Sequence, residues 1–162
     1  IEEGDNFDLI AMGRPEGAGG YCAVNHNLRD VVDSISKSYR YVIIDNEAGM
    51  EHLSRRTTRN VEHLLMVSDP TQRGIVATER IASMVPGLDI DVENVHLILN
   101  RVMGDLPAPL MERVSALDAN FLGTVPSNND LMEFEFNGRP LVELGDESPV
   151  YQAVAKMMEE IL

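Results

Sequence analysis

The stretch Tyr41-Val42-Ile43-Ile44-Asp45-Asn46-Glu47-Ala48-Gly49 decides how this chain is read. Its apolar half is short, continuous and β-branched, the pattern of a strand covered on both faces rather than of a half-wet strand that alternates. Similar runs recur at 8–12, 64–67 and 95–99, with a shorter one at 121–125. Helical spacing fills the intervals. Val24, Leu28, Val31, Val32 and Ile35 share one face, as do Ile75, Val76, Ile81, Ala82 and Val85 before Pro86-Gly87. Leu110, Val114 and Leu117 mark a third helix, residues 131–136 a short fourth, and Val150, Val154, Met157, Met158 and Ile161 a last one. Strands alternating with helices imply βαβ units. The expected fold is therefore α/β, a mostly parallel sheet with helices on both faces, and residues 1–162 are expected to form a single domain.

The bulk properties narrow the function. The net charge is −14, and the thirteen basic residues are scattered apart from Arg55, Arg56 and Arg59. Phosphate contacts dominate nucleic-acid affinity and need clustered cations, so nucleic acid and anionic membrane are not expected partners. Cys22 is the one cysteine, which permits no intrachain disulfide and fits a reducing, cytoplasmic compartment. No apolar run approaches the roughly 18 residues that span a bilayer. The chain opens at Ile1, directly in an acidic segment, and that start reads as a cut or missing N-terminus.

In open parallel sheets ligands sit at the carboxyl ends of the strands, so chemistry is sought there. Asp45 ends one strand and Gly49 follows four positions later, the Asp-x-x-x-Gly arrangement of P-loop NTPases. There the acid serves Mg²⁺, a hard cation that keeps much of its water, and the glycine lets a backbone N–H approach a terminal phosphate. An aspartate in this place also serves as a helix cap or turn residue. Asn100-Arg101 ends another strand. The run Asn-Lys-x-Asp of guanine sites does not occur, whereas an asparagine amide matches both the donor and the acceptor edge of adenine. Pro126, Ser127 and Asn128 follow the last strand, where their backbone could line a base pocket or simply start a helix.

Together these pieces resemble one family. The runs Met12-Gly13-Arg14-Pro15-Glu16-Gly17 and Tyr21-Cys22-Ala23-Val24-Asn25 look like the nickel-insertion accessory ATPases of carbon monoxide dehydrogenase (CooC type), within the MinD/ParA-like deviant-Walker P-loop ATPases. So do Asp45-Asn46-Glu47-Ala48-Gly49-Met50-Glu51-His52-Leu53-Ser54-Arg55-Arg56-Thr57, Val67-Ser68-Asp69-Pro70-Thr71 with Arg73-Gly74, and Leu99-Asn100-Arg101. The resemblance implies an ATP-binding maturation factor that cycles between ATP and ADP, dimerises with nucleotide and serves carbon monoxide dehydrogenase. By it Asp45 holds the Mg²⁺ water, Gly49 senses the γ-phosphate, and Glu47 belongs to the segment coupling nucleotide to the dimer face. Asn100, Arg101, Pro126, Ser127 and Asn128 surround adenine. The other readings are a positioning or partition ATPase and a degenerate module that only docks or dimerises.

Two departures stand out. The resemblance implies Cys-x-Cys in the glycine-rich loop, a thiolate set suited to Ni²⁺ or Zn²⁺, but Gly20 stands where the first cysteine would be. Cys22 is left alone, with His26 as the one candidate helper. The phosphate loop Gly-x-x-x-x-Gly-Lys-[Ser/Thr] also occurs nowhere in the 162 residues. That loop's N–H groups and lysine supply most of the phosphate stabilisation. The 162-residue polypeptide alone is therefore expected to show negligible ATP turnover in a phosphate-release assay; ordinary family rates would contradict this.

Overall fold

The computed structural model describes residues 2–11, 32, 34–46, 60–88 and 90–162. The chain divides into two compact units, Ile1–Thr58 and Arg59–Leu162.

In the first unit, β1 (Glu2–Glu3) pairs antiparallel with β2 (Asp8–Leu9), Glu2 opposite Leu9 and Glu3 opposite Asp8. The Gly4 N–H closes the turn on the Phe7 carbonyl at 3.1 Å and also reaches Asp8 Oδ1 at 3.2 Å. Asp8 accepts in addition from the Tyr39 hydroxyl, and that bond is the main reason the Tyr39 pKa lies above its ordinary value of 10.0. Of the expected parallel strand at 8–12, Asp8 and Leu9 instead form a two-residue antiparallel ladder closed by the local turn, and Met12 lies outside the described residues. Val32, Ser34 and Ile35 are helical, in line with the first helical pattern, and a 3₁₀ turn follows at Ser36–Ser38. Residues 41–46 pair with no strand among the described residues. Ile43 is 90% exposed, and Tyr41, Val42 and Ile44 are also exposed. The expected strand at 41–44 is therefore not formed, because a strand exists only with hydrogen-bonding neighbours, whatever its side chains favour.

The second unit holds the parallel sheet. β3 (Asn60–Ser68), β4 (Asp91–Val102) and β5 (Asn120–Pro126) pair in that order, all parallel. α1 (Gln72–Met84) crosses from β3 to β4, and α2 (Ala108–Ser115) from β4 to β5. α3 (Asn129–Phe136) and α4 (Pro149–Ile161) follow β5. The α/β expectation holds, with helices on both faces. Met66, Leu97, Leu99 and Val102 pack against Ile75 of α1 and Val114 of α2 on one face. Ile98 and Val125 pack against Met157 of α4 on the other. Three consecutive β4 residues, Leu97, Ile98 and Leu99, are buried, which is why the sequence there runs apolar without alternation. β3 has only one face covered: Leu64 and Met66 are buried, while Leu65 and Val67 are exposed.

Local chemistry explains the boundaries. Thr71 caps α1 by accepting from the Gly74 N–H at 3.0 Å, and Pro86 ends that helix in a 3₁₀ turn at Val85–Gly87. α3 closes on Gly138 at φ 63°, with the Arg139 N–H reaching the Phe134 carbonyl at 2.9 Å and the Gly138 N–H that of Glu135 at 3.1 Å. That is a Schellman end, which needs the left-handed residue. Gly123 takes φ 148°, a backbone conformation that side chains rarely adopt, where β5 lies against Met157 of α4. The Arg113–Glu79 fork joins α2 to α1 at 2.9 and 2.7 Å, but both side chains are 37% exposed, so it contributes under about 1 kcal/mol.

Truncating Leu99, which is 0% exposed, to alanine is expected to lower unfolding free energy by about 3 kcal/mol. Val67→Ala, on the uncovered face, should change it by less than about 0.5 kcal/mol. Urea unfolding of the two variants measures the contrast, and equal losses would refute the one-sided burial of β3.

Candidate functional site at the strand ends

The carboxyl ends of β4 and β5 meet in an irregular join. The pairing shifts register once between Leu97, opposite Phe121, and Ile98, opposite Gly123, holds through Leu99 opposite Thr124, then shifts again over Asn100 and Arg101 before Val102 meets Pro126. A bulge of this kind re-aims side chains at a sheet rim. Arg101 sits at φ 58°, the one non-glycine among the described residues with positive φ. A side chain in that region costs roughly 1–2 kcal/mol. Two contacts hold it: the Arg101 N–H donates to Asn100 Oδ1 at 2.8 Å, and the Ser127 N–H donates to the Val102 carbonyl at 2.9 Å. The second bond ties the loop after β5 to the end of β4.

Asn128 then caps α3, its Oδ1 accepting from the Leu131 N–H at 3.0 Å. Asn100 and Arg101 thereby share one rim with Pro126, Ser127 and Asn128. Asn100, Pro126 and Asn128 are half-buried; Arg101 and Ser127 are exposed. One detail differs from the sequence reading. The Asn100 oxygen is engaged by its own neighbour's N–H, so what it chiefly presents outward is its NH₂ group, a donor.

The end of β3 carries a knot to which the sequence reading assigned no role. Asp69 Oδ1 accepts from Thr71 Oγ1 at 2.7 Å, and Ser68 Oγ donates to the Asp69 carbonyl at 3.1 Å. The first turn of α1 lies so close that a Cβ on Gly74 would fall 2.3 Å from Asp69 Oδ1, 2.6 Å from Ser68 Oγ and 2.7 Å from the Asp69 carbonyl. The usable signal was Thr71 three residues before a glycine at a strand-to-helix turn.

Asp45 lies exposed in the first unit, outside any helix or strand. Glu47, Gly49, Cys22 and His26 lie outside the described residues. Among the described residues no three His, Cys, Asp or Glu side chains gather as a metal site, and no helix is long and apolar enough to cross a membrane.

A parallel α/β sheet with helices on both faces defines a class, the open α/β folds, in which ligands sit at the carboxyl ends of the strands. Comparisons with known proteins narrow it. A MinD of Pyrococcus horikoshii, solved with Mg-ADP, superposes with TM-score 0.65 at 22% identity over 85% of this chain and 56% of that one. An uncharacterised ATP-binding protein of Methanocaldococcus jannaschii is 36% identical over 156 residues, 96% of this chain and 62% of that protein. The carbon monoxide dehydrogenase accessory protein CooC of Rhodospirillum rubrum is 26% identical over 84% of this chain and 52% of its own. No protein-family model matches. The chain thus has the fold of the MinD/ParA-like P-loop ATPases, and its sequence relatives support that family. It spans between half and two thirds of the length of these relatives.

Gly74→Ala is expected to cost about 1–3 kcal/mol, since backbone at Asp69 has to move. Gly87→Ala, where a Cβ meets nothing within 4 Å, serves as control. Indistinguishable thermal midpoints for the two variants would remove the close approach.

Proposed function

We propose that the chain carries the base-binding rim of an ATP-dependent maturation factor, one that assists nickel insertion into carbon monoxide dehydrogenase as a nucleotide-dependent dimer. The observation that carries ATP binding is the join between Asn100-Arg101 and residues 126–128, which sets an amide donor and two loop carbonyl-bearing segments at one sheet rim. A purine base is recognised by such a set, because its ring nitrogens accept and its exocyclic amine donates. Arg101, exposed and cationic, suits a stacked or phosphate-side contact. Asp45 is the proposed Mg²⁺ carboxylate, with Gly49 toward the terminal phosphate and Glu47 in the segment that couples them to the dimer.

Nickel insertion rests on the likeness to CooC in the run 45–57 and on the thiol Cys22, with His26 as its helper. A second reading, a positioning ATPase, is favoured by the likeness to MinD. Against it stand the charge of −14 and an α4 that carries Lys156 against Glu159 and Glu160, a poor face for an anionic membrane.

Titration with a fluorescent ATP analogue and Mg²⁺ tests the base rim. Asn100→Ala should weaken binding about tenfold, equivalent to about 1.4 kcal/mol. Asp45→Asn should abolish the Mg²⁺ dependence while sparing metal-free nucleotide. Unchanged affinity in Asn100→Ala would end the assignment. Nickel titration of Cys22→Ala, beside a liposome pull-down, separates the two cellular readings.

A further inference from the structure

His63 on β3 and His96 on β4 are diagonal neighbours on one face of the sheet, His63 Nδ1 lying 2.9 Å from His96 Nε2 and the ring centroids 5.1 Å apart. The pair belongs to no part of the strand-end site. His96 is only 4% exposed, and its other nitrogen, Nδ1, is buried without a partner. His63 is half-buried on the strand whose one described neighbour is β4.

Proton counting decides what this geometry tolerates. A 2.9 Å contact between two ring nitrogens needs one hydrogen between them. With both rings neutral, His96 donates from Nε2 and keeps Nδ1 as a bare acceptor. Add one proton, and two arrangements remain. If His63 is the cation it donates from Nδ1, so neutral His96 must carry its hydrogen on Nδ1. If His96 is the cation, Nδ1 is protonated outright. Either way a buried N–H is left without an acceptor, which native structures rarely leave standing. The same orphaned N–H weighs against a metal ion on His96 Nε2, because ligating histidines donate their second N–H to a partner.

The surroundings offer no relief. On the His96 face β4 contributes Asn94, Ile98 and Asn100, and β5 sets Asn120 opposite; none of these titrates. α4 turns Met157 and Met158 to the sheet and leaves Lys156, Glu159 and Glu160 exposed. From β3 the one ionisable side chain on this face is His63 itself.

We propose that His63 and His96 form a proton-operated latch on β3, closed while both rings are neutral and opened by uptake of one proton, which frees the first half of the strand. His63 leaves, being the less buried ring, on the strand that among the described residues has the fewer neighbours. The remaining side-chain tie there is Asn94 Nδ2 donating to the Glu62 carbonyl at 3.1 Å. β3 is the first element of the Arg59–Leu162 unit, so the latch controls where that unit begins, at the end of the sheet opposite the nucleotide rim.

The linkage has a definite sign. Burial first, and the charge of His63 second, hold the His96 pKa below its ordinary 6.5. The unfolded chain therefore takes up the proton first. The latch's contribution is full above about pH 6.5 and is lost as pH falls below it.

Amide exchange of the full chain, corrected for intrinsic rates, tests the latch at pH 7.5 and 5.5. Protection at residues 61–64 is expected to fall at least tenfold more than protection in β5. His63→Gln, which still accepts from His96 but does not titrate, should remove the excess. His96→Phe should do the same, and where one variant fails to fold the other decides. Ring ¹⁵N spectra at pH 7.5 are expected to show His96 as the Nε2–H tautomer. An Nδ1–H tautomer, β3 protection that tracks β5 across pH, or an excess that persists in the folded variant would each overturn the proposal.

Discussion

Everything in the larger unit depends on β4 being buried on both faces. Leu97 and Leu99 point to α1 and α2, Ile98 to α4, and each helix keeps its place by covering part of that strand. Burial of apolar area at about 25 cal/mol per Å² is what makes such a strand stabilising. Parallel pairing needs crossovers, which α1 and α2 supply on one face, while α4, following β5, covers the other. Parallel pairing in turn brings the carboxyl ends of β3, β4 and β5 to one edge. The rim where Asn100, Arg101 and residues 126–128 meet is a consequence of how the core is made.

That rim is where regularity stops. The ladder slips by one residue at Asn100-Arg101, and Arg101 adopts a backbone conformation that favours glycine. Local strain of this size persists only where neighbouring bonds over-determine it. Here the Asn100 oxygen and the Ser127 N–H do so. At the end of β3 the constraint takes another form, with Gly74 admitting the backbone of Asp69 closer than any side chain would allow. The strand ends thus combine one strained residue and one close approach, both outside the regular sheet.

The smaller unit shows the opposite balance. Its described residues hold a two-residue ladder, a turn closed on Gly4 and a hydroxyl-to-carboxylate bond between Tyr39 and Asp8. Its most apolar run, 41–44, remains exposed. Hydrogen bonds at exposed positions contribute little net stability. The asymmetry between the units follows from where apolar surface is covered.

Periodicity alone determined the α/β class, because covered strands must run apolar and the helices must show a 3.6 spacing. Runs 64–67, 95–99 and 121–125 became β3, β4 and β5, and four of the five helical patterns became α1 to α4. It also determined the motifs at 45–49 and 100–101, since residue types and spacing are properties of the chain. Tertiary structure alone decided which runs pair: 41–44 reads as well as 64–67, yet among the described residues only the latter has a paired strand. It alone decided the bulge that turns Asn100 into a donor, the contact around Gly74, and the meeting of His63 with His96. Each of these depends on register between segments far apart in sequence, a quantity that no local pattern encodes.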